Sequence, residues 1–262
     1  MSGETCYDLK RLQAALPGLR IEHHAEIAST NDWALTLAAA PDVALPLLVL
    51  ADRQTAGRGR GANVWWAAPG SITFSLALQT TAVRIPARQW PQLSLVTGLA
   101  ICEALEQLTS EAQLQVKWPN DVYLQERKIC GILIEAPPVR DRLVIGAGLN
   151  VNNPFAAAPA ELQQKAIALC DFDGERRDLT DALTLIVERL QVRWQQLADD
   201  GFASQIDDWR SRCLLTGKTV QLHSGPQTIT GQCAGIDEDG ALVLQTESGS
   251  RRCHAGTVLR FE

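Results

Sequence analysis

The stretch LQVKWPNDVYLQERKICGILIE, residues 114–135, contains three short apolar runs of strand length in close succession. Pro119-Asn120-Asp121 separates the first run from the second, and these residue types favour turns. The pattern predicts three short strands, at residues 114–118, 122–125 and 129–135. A fourth strand is predicted at 142–150, and its end reads Gly146-Ala147-Gly148-Leu149-Asn150.

On both sides of this stretch, the sequence alternates between helix-like and strand-like patterns. Ser29 is a predicted helix N-cap, because its hydroxyl would accept from a free amide one turn on, and that helix stops before Pro41. Further helices are predicted at 6–16, 90–108, 181–198 and 202–213, and further strands at 20–27, 47–52 and 71–78.

After Gly217 the sequence changes to short β-like runs separated by turns. The turn pairs are Gly225-Pro226, Asp239-Gly240 and Ser248-Gly249. The runs predict strands at 219–222, 227–236, 241–245 and 250–254. We therefore predict two domains, 1–215 and 216–262, the second of which is small enough to need packing against the first.

The composition is that of a globular protein and excludes several classes. The 262 residues are 46% apolar and carry a net charge of −6, whereas a protein that binds nucleic acid through its whole surface is usually basic. There is no signal-peptide pattern and no apolar run of membrane-spanning length, which predicts a cytoplasmic protein without nucleic-acid or membrane partners. Seven cysteines without a C-x-x-C pair favour reduced thiols, and His23 and His24 lack metal-like spacing.

The strongest local signal is Gln-Thr-Ala-Gly-Arg-Gly-Arg-Gly at residues 54–61. Glycines let a backbone approach a ligand and expose its amides, and arginines form forked hydrogen bonds to anionic oxygens. The stretch matches neither Walker A nor G-x-G-x-x-G. A phosphate-binding loop is one interpretation, and a solvated or RGG-like loop is the other.

Three other motifs each have a chemical and a structural interpretation. Lys117 and Lys128 would converge on a transferring phosphate, or would be exposed lysines of a polar hairpin. The glycines at 146–148 indicate close approach of a ligand, or a bulge. Ser29-Thr30-Asn31 would bind a ligand, cap a helix, or do both. Trp65-Trp66 would wall a pocket or lie in the core.

Taken together and in this order, these segments resemble those of biotin protein ligases. The matching strings are Ser-Thr-Asn at 29–31, Gln-Thr-Ala-Gly-Arg-Gly-Arg at 54–60, Lys-Trp-Pro-Asn-Asp at 117–121, Arg-Lys-Ile-Cys-Gly-Ile-Leu-Ile-Glu at 127–135 and Gly-Ala-Gly-Leu-Asn at 146–150. The resemblance implies an α+β fold: a mixed, mainly antiparallel sheet with helices on one side, plus a small SH3-like β-barrel at the C-terminus.

The resemblance also implies a reaction in two half-steps. Biotin and ATP would form biotinyl-5′-AMP, and a lysine of the biotin carboxyl carrier protein of acetyl-CoA carboxylase would then take the biotin. Mg²⁺ is expected with ATP, with no ligands assigned. The chain would be a monomer or a homodimer. With 28 residues before Ser29, no DNA-binding domain and no repressor activity are expected.

The resemblance carries roles to individual residues. Ser29, Thr30 and Gln54 would bond the ureido ring, Lys128 would counter the carboxylate and α-phosphate, and Asp121 would help the carrier lysine lose its proton. The full biotin set is Ser29, Thr30, Asn31, Gln54, Arg58, Gly59, Arg60 and Lys128. The adenylate set is Gly57, Arg58, Arg60, Trp65, Lys117, Asn120 and Asn150, and the catalytic set is Lys128, Lys117, Arg58 and Asp121.

The sequence departs from some relatives just after the glycine-arginine loop. Those relatives continue with further arginines, whereas this chain has Ala62-Asn63-Val64. A weaker hold on the adenylate is expected from the lost charge. A lipoate ligase on the same fold and a biotin-sensing repressor are the alternatives to the biotin ligase.

Overall fold

A computed structural model describes residues 6–109 and 112–262. Its larger part is built on a seven-stranded sheet in the order β1-β2-β3-β7-β6-β5-β4. β1 and β2 pair in parallel, and the other neighbouring strands pair in antiparallel fashion. The strands are β1 Arg20–His24, β2 Leu47–Ala51, β3 Ile72–Gln79, β4 Leu114–Lys117, β5 Asp121–Leu124, β6 Arg127–Glu135 and β7 Arg142–Leu149.

The main core lies between one face of this sheet and two long helices, α3 (Trp90–Leu108) and α6 (Leu179–Asp200). Alternate residues of β2 and β3 face this core, among them Leu48, Leu50 and Phe74. The predicted layer of helices on one side is formed by α3 and α6.

The helix α2 (Thr30–Ala39) differs from that layering, because it lies on the opposite face of the sheet. Ala34 and Ala38 pack there against Leu47 and Val49 of β2. Every residue of β2 is buried, so the strand is apolar on both faces and needs cover on both. The continuous apolar run at 47–51 is the sequence signal for this second cover.

The start of α2 is fixed by its cap. The Ser29 hydroxyl accepts a hydrogen bond from the Asp32 amide at 3.3 Å, as predicted, and the helix ends before Pro41. Ser29, Thr30 and Asn31 are all buried at this helix start, which points the first turn into the sheet.

The C-terminal part is a five-stranded antiparallel sheet in the order β11-β10-β9-β8-β12. Its strands are β8 Thr219–Ser224, β9 Gln227–Ile236, β10 Leu242–Thr246, β11 Gly249–Cys253 and β12 Thr257–Phe261. Four of them match predicted runs. The sequence reading missed β12, whose exposed and half-buried residues give no clean alternation. The α+β fold class is confirmed, and the division at residues 215 and 216 stays a prediction.

The two parts are joined by polar contacts. The Trp118 indole donates to the Gly240 carbonyl at 3.1 Å, and the Arg210 guanidinium donates to the Ile236 carbonyl at 2.9 Å. Gly240 has φ of +84°, and a Cβ there would lie 2.7 Å from the Leu95 side chain. The turn between β9 and β10 therefore requires a glycine where it meets α3.

Two regions differ from the predicted helices. The single helix predicted at 202–213 is a 3-10 turn, Phe202–Gln205, followed by a short helix α7, Ile206–Ser211. The side chain of Gln205 is drawn inward to donate to the Arg193 carbonyl at 3.1 Å, a tertiary contact that local periodicity does not report. Residues 155–173, which had no prediction, form a 3-10 turn at Phe155–Ala157 and the short helices α4 Ala160–Gln163 and α5 Leu169–Asp173.

The remaining helix, α1, spans Leu9–Ala15 within the predicted 6–16. None of the helices in the described ranges is both long enough and apolar enough to cross a membrane.

Candidate active site

A cavity of about 390 Å³ lies on the sheet face opposite the main core. It is bounded by the start of α2, the loop after residue 54, the turn between β4 and β5, and β7. The C-terminal part adds residues 256–258 to its rim. The cavity thus gathers all the motifs that the sequence analysis singled out.

One end of the cavity is a buried cluster of hydrogen-bonding side chains. The Gln54 side-chain oxygen accepts from the Thr30 amide at 2.7 Å and from the Thr30 hydroxyl at 3.1 Å. The Ser75 hydroxyl lies 3.0 Å from the Thr30 hydroxyl and donates to the Asn31 side chain at 3.2 Å. Ser75 was missed from sequence, because a serine within an apolar strand carries no motif.

The neighbouring cluster contains charged side chains. The Asn31 amide donates to the Glu135 carboxylate at 2.5 Å. The Arg58 guanidinium donates to the same carboxylate at 2.5 Å and lies 2.7 Å from Asp32. The hydrogen bond to Glu135 raises the pKa of Arg58 above its ordinary value. Glu135 and Asp32 were not predicted as site residues.

The floor of the cavity is made of glycines. Gly131, Gly146 and Gly148 lie in directly paired strands, where β7 pairs regularly with β3 and β6 from residue 144 to 149. A Cβ on Gly148 would overlap the Trp65 ring, and one on Gly146 would overlap the Asn31 side chain. The glycines are therefore sites of close approach and not a bulge.

The centre of the cavity holds two lysines that share one carboxylate. The Lys128 ammonium lies 2.6 Å from one oxygen of Asp121, and the Lys117 ammonium lies 3.9 Å from the other. The rings of Tyr123 and Phe261 lie 5.5 and 5.7 Å from the Lys117 ammonium. Burial lowers the pKa of Lys117 below the usual lysine value. The lysines converge, as the catalytic interpretation of the hairpin requires.

Asn120 has a structural contact at the same turn. Its side-chain amide donates to the Ile132 carbonyl at 2.6 Å, which ties the turn to β6.

The glycine-arginine loop folds as a hairpin over the cavity. The Gly59 amide donates to the Asn63 carbonyl at 2.7 Å, and the Trp65 amide donates to the Gly57 carbonyl at 2.9 Å. The Arg60 guanidinium reaches the C-terminal part and donates to the Gly256 carbonyl. Arg60 is half-buried there, and this burial lowers its pKa below the usual arginine value.

The far end of the cavity is apolar. The rings of Trp66 and Phe155 meet edge to face with centroids 5.2 Å apart, and Leu162 and Ala166 complete the wall. Asn150 is buried beside this wall and accepts from the Asn153 amide at 3.0 Å. Phe155 was missed from sequence, because residues 154–166 show neither strand nor helix periodicity.

Family models match both parts of the chain. Residues 25–152 match the biotin/lipoate A/B protein ligase family, and residues 216–260 match the biotin protein ligase C terminal domain. The first match spans the whole cavity floor and the second spans the rim at 256–258.

Individual relatives cover nearly the whole chain. It is 33% identical over 240 residues to the biotin--[acetyl-CoA-carboxylase] ligase of Paracoccus denitrificans, covering 89% of this chain and 98% of that protein. It is 32% identical to the bifunctional ligase/repressor BirA of Bacillus subtilis, covering 94% of this chain and 76% of that protein. A structure of the Aquifex aeolicus biotin protein ligase in complex with biotin and ATP superposes with a TM-score of 0.81, at 31% identity, covering 93% of this chain and 98% of that one. With its motifs assembled in one cavity and relatives at this identity along its length, the chain belongs to the biotin protein ligase family.

Proposed function

We propose that this enzyme joins biotin to ATP as biotinyl-5′-AMP and then transfers the biotin to a lysine of the carrier protein of acetyl-CoA carboxylase. The observation that carries the proposal is one cavity with three consecutive chemistries. It has a buried polar end at Thr30 and Gln54, a basic centre at Lys117 and Lys128, and an apolar far end at Phe155.

The polar end suits the ureido ring of biotin. Ser29, Thr30 and Gln54 supply hydroxyl, amide and carbonyl groups, and Ser75 and Asn31 extend the same network. A buried site of this kind rejects a ligand without matching polar groups, because its own groups would then lose their partners. This arrangement favours biotin over lipoate, whose ring has no ureido group.

The basic centre suits the first half-reaction. The carboxylate of biotin and the α-phosphate of ATP are both anionic and repel each other as they approach. Lys128, Lys117 and Arg60 would offset that repulsion. A fixed charge acts more strongly where burial removes water, as it does around Lys117. The α-phosphate is attacked by a carboxylate oxygen of biotin, and pyrophosphate leaves.

The apolar far end suits the adenine base. Trp66 and Phe155 would contact the ring, and Asn150 and Trp65 would complete its surroundings. Gly57 and Gly59 would bring the hairpin backbone close to the phosphate.

Mg²⁺ would enter with the nucleotide. Within residues 6–109 and 112–262, no group of three or more His, Cys, Asp or Glu side chains is placed to hold a metal ion. Phosphates and water would therefore supply most ligands, as is common for Mg²⁺ bound with ATP. No step of the proposed reaction is assigned to the ion.

Asp121 would act in the second half-reaction. Once pyrophosphate has left, its carboxylate would accept the proton of the attacking carrier lysine while AMP leaves. Lys128 and Lys117 hold Asp121 at the centre of the cavity.

The test is biotinylation of a purified biotin carboxyl carrier domain, with biotin and ATP added together or singly. Label is expected when both are present, and lipoate in place of biotin is expected to give none. Carrier that stays unlabelled with both substrates present would overturn the proposal.

The net charge of −6 predicts that the protein does not bind operator DNA tightly at physiological salt. A gel-shift assay measures this binding.

A further inference from the structure

Glu135 links the two predicted binding regions of the cavity. Its carboxylate accepts from Asn31 at 2.5 Å on one side and from Arg58 at 2.5 Å on the other. The Asn31 side chain is also hydrogen-bonded to the Ser75 hydroxyl. Ser75 is in turn hydrogen-bonded to the Thr30 hydroxyl, which donates to the Gln54 side chain. A continuous series of hydrogen bonds therefore runs from the polar end to the glycine-arginine hairpin.

The fold places Glu135 for this contact. Gly131, Leu133 and Glu135 project from the same face of β6, because side chains alternate along a strand. Gly131 keeps the floor open, and Glu135, at the last position of β6, reaches the start of α2 where Asn31 is buried. The sheet edge and the helix start meet at this carboxylate.

The charges around Arg58 show that its guanidinium is already engaged. Two carboxylates, from Glu135 and Asp32, lie at 2.5 and 2.7 Å from the same terminal nitrogen. The local sum is one positive and two negative charges, so an incoming anion gains little there. Lys128 and Lys117 also line the cavity, and these two cations share the single carboxylate of Asp121.

We propose that Glu135 is a positioning residue that fastens Arg58, and with it the hairpin at 57–65, to the biotin end of the cavity through Asn31. The inference deepens the proposed function, on which its role in retaining biotinyl-AMP rests. Arg58 holds the hairpin in place in this account, and the hairpin shields the mixed anhydride from water and slows its escape.

Hydrogen exchange in the ligand-free enzyme tests the anchoring without any assumption about the reaction. Backbone amides of residues 57–65 are followed in wild type, Glu135→Gln and the control Glu247→Gln, an exposed glutamate in the turn between β10 and β11. We expect about tenfold faster exchange at 57–65 in Glu135→Gln only, a factor equivalent to ~1.4 kcal/mol. Unchanged exchange at 57–65 would overturn the inference. If Glu135→Gln does not fold, Arg58→Gln replaces it, because it breaks the same ion pair. The same increase in exchange at residues 57–65 is then expected.

A double-mutant cycle tests the functional consequence. The dissociation rate of biotinyl-AMP is measured for Glu135→Gln, Arg58→Gln and the double variant. Since Glu135 acts through Arg58, each single change is expected to speed dissociation about tenfold and the double change to add little more. Additive effects would contradict the positioning role, because a general structural defect does not depend on Arg58. An enzyme that makes no biotinyl-AMP would refute the proposed function and leave the exchange result to decide the anchoring.

Discussion

In the proposed reaction, Lys128 is the residue expected to matter most for the chemistry. It lies between the Asp121 carboxylate at 2.6 Å and the Trp65 ring at 5.7 Å, so its ammonium is fixed over the glycine floor. Along β6, Gly131 has no side chain to occupy that point, and Cys130 faces the main core.

Replacing Lys128 by alanine is expected to slow pyrophosphate release about 10²-fold or more, because a fixed charge at the reacting phosphate is lost. The rate is measured with saturating biotin and ATP, so that weaker binding does not hide the effect. Lys10→Ala, which removes an exposed lysine of α1, serves as the control and should leave the rate unchanged. A Lys128→Ala enzyme with wild-type turnover would remove this residue from the mechanism.

The lowered pKa of Lys117 predicts that the rate of the first half-reaction depends on pH. Burial lowers its pKa below 10.5, and its positive charge is lost as the pH rises through that lowered value. Turnover of the first half-reaction should therefore begin to fall at a pH below 10.5. Phe261→Ala admits water beside the ammonium, which should raise the pKa and move the alkaline limb to higher pH. A pH–rate profile of pyrophosphate release checks both points, and an unmoved limb in Phe261→Ala would contradict them.

Among the elements, β7 shows why glycines are required in the floor. Its pairing is regular on both sides, and Gly146 and Gly148 leave the face open where Asn31 and Trp65 approach. A side chain at either point would fill the cavity or displace those residues.

Gly148→Ala is expected to displace the Trp65 ring and to destabilise the fold by about 1–3 kcal/mol, the usual cost of overpacking. The KM for ATP should rise as well, since Trp65 is proposed to contact the nucleotide. Gly98→Ala is the matched control: its Cβ would lie 3.4 Å from Val116, an ordinary contact, on a helix that favours alanine. Urea unfolding and steady-state kinetics measure the pair, and equal behaviour of the two variants would show that the floor tolerates a side chain.

Some helices and strands could be predicted from the sequence and others could not. Local rules placed α3 at Trp90–Leu108, capped α2 at Ser29 and assigned β9 to Gln227–Ile236, because periodicity and capping act within a few residues. They did not place α2 on the second face of the sheet, and they missed β12. Both depend on long-range partners, namely the buried strand β2 and the pairing of β12 with β8.

The candidate site follows the same division. Residues within motifs, such as Thr30, Gln54, Lys117 and Lys128, meet in the cavity as predicted. Ser75 and Glu135 belong to the network through contacts 44 and 104 residues distant in sequence, both to Asn31. Spacing along the chain cannot report such contacts, and the roles carried over from the family resemblance stay predictions.

At the scale of the whole molecule, the C-terminal sheet completes the cavity. The Gly256 carbonyl accepts a hydrogen bond from Arg60, and the Phe261 ring lies beside the Lys117 ammonium. The Gly240 carbonyl accepts from Trp118, in the turn between β4 and β5. Lys117 and Arg60 therefore each contact the C-terminal part directly.

Trp118→Phe tests this coupling, because it keeps the buried ring and removes the indole N–H. The Gly240 carbonyl loses its partner, and the free energy of unfolding is expected to fall by about 1–3 kcal/mol. Trp33→Phe is the control: its indole N–H donates to the Glu22 carboxylate, but the side chain is 38% exposed. Water can therefore replace that hydrogen bond, and the change should stay within about 0.5 kcal/mol. Urea denaturation of both variants measures the difference. Equal losses in the free energy of unfolding would show that the Trp118–Gly240 hydrogen bond stabilises the protein no more than an exposed one does.

The proposed function requires that this cavity makes and holds biotinyl-5′-AMP. Native mass spectrometry of the purified enzyme after incubation with biotin and ATP tests this requirement. A retained adduct with the mass of biotinyl-AMP is expected, absent when either substrate is omitted and strongly reduced in Lys128→Ala. Enzyme that binds biotin and ATP but forms no adduct, while remaining folded, would contradict the proposed function.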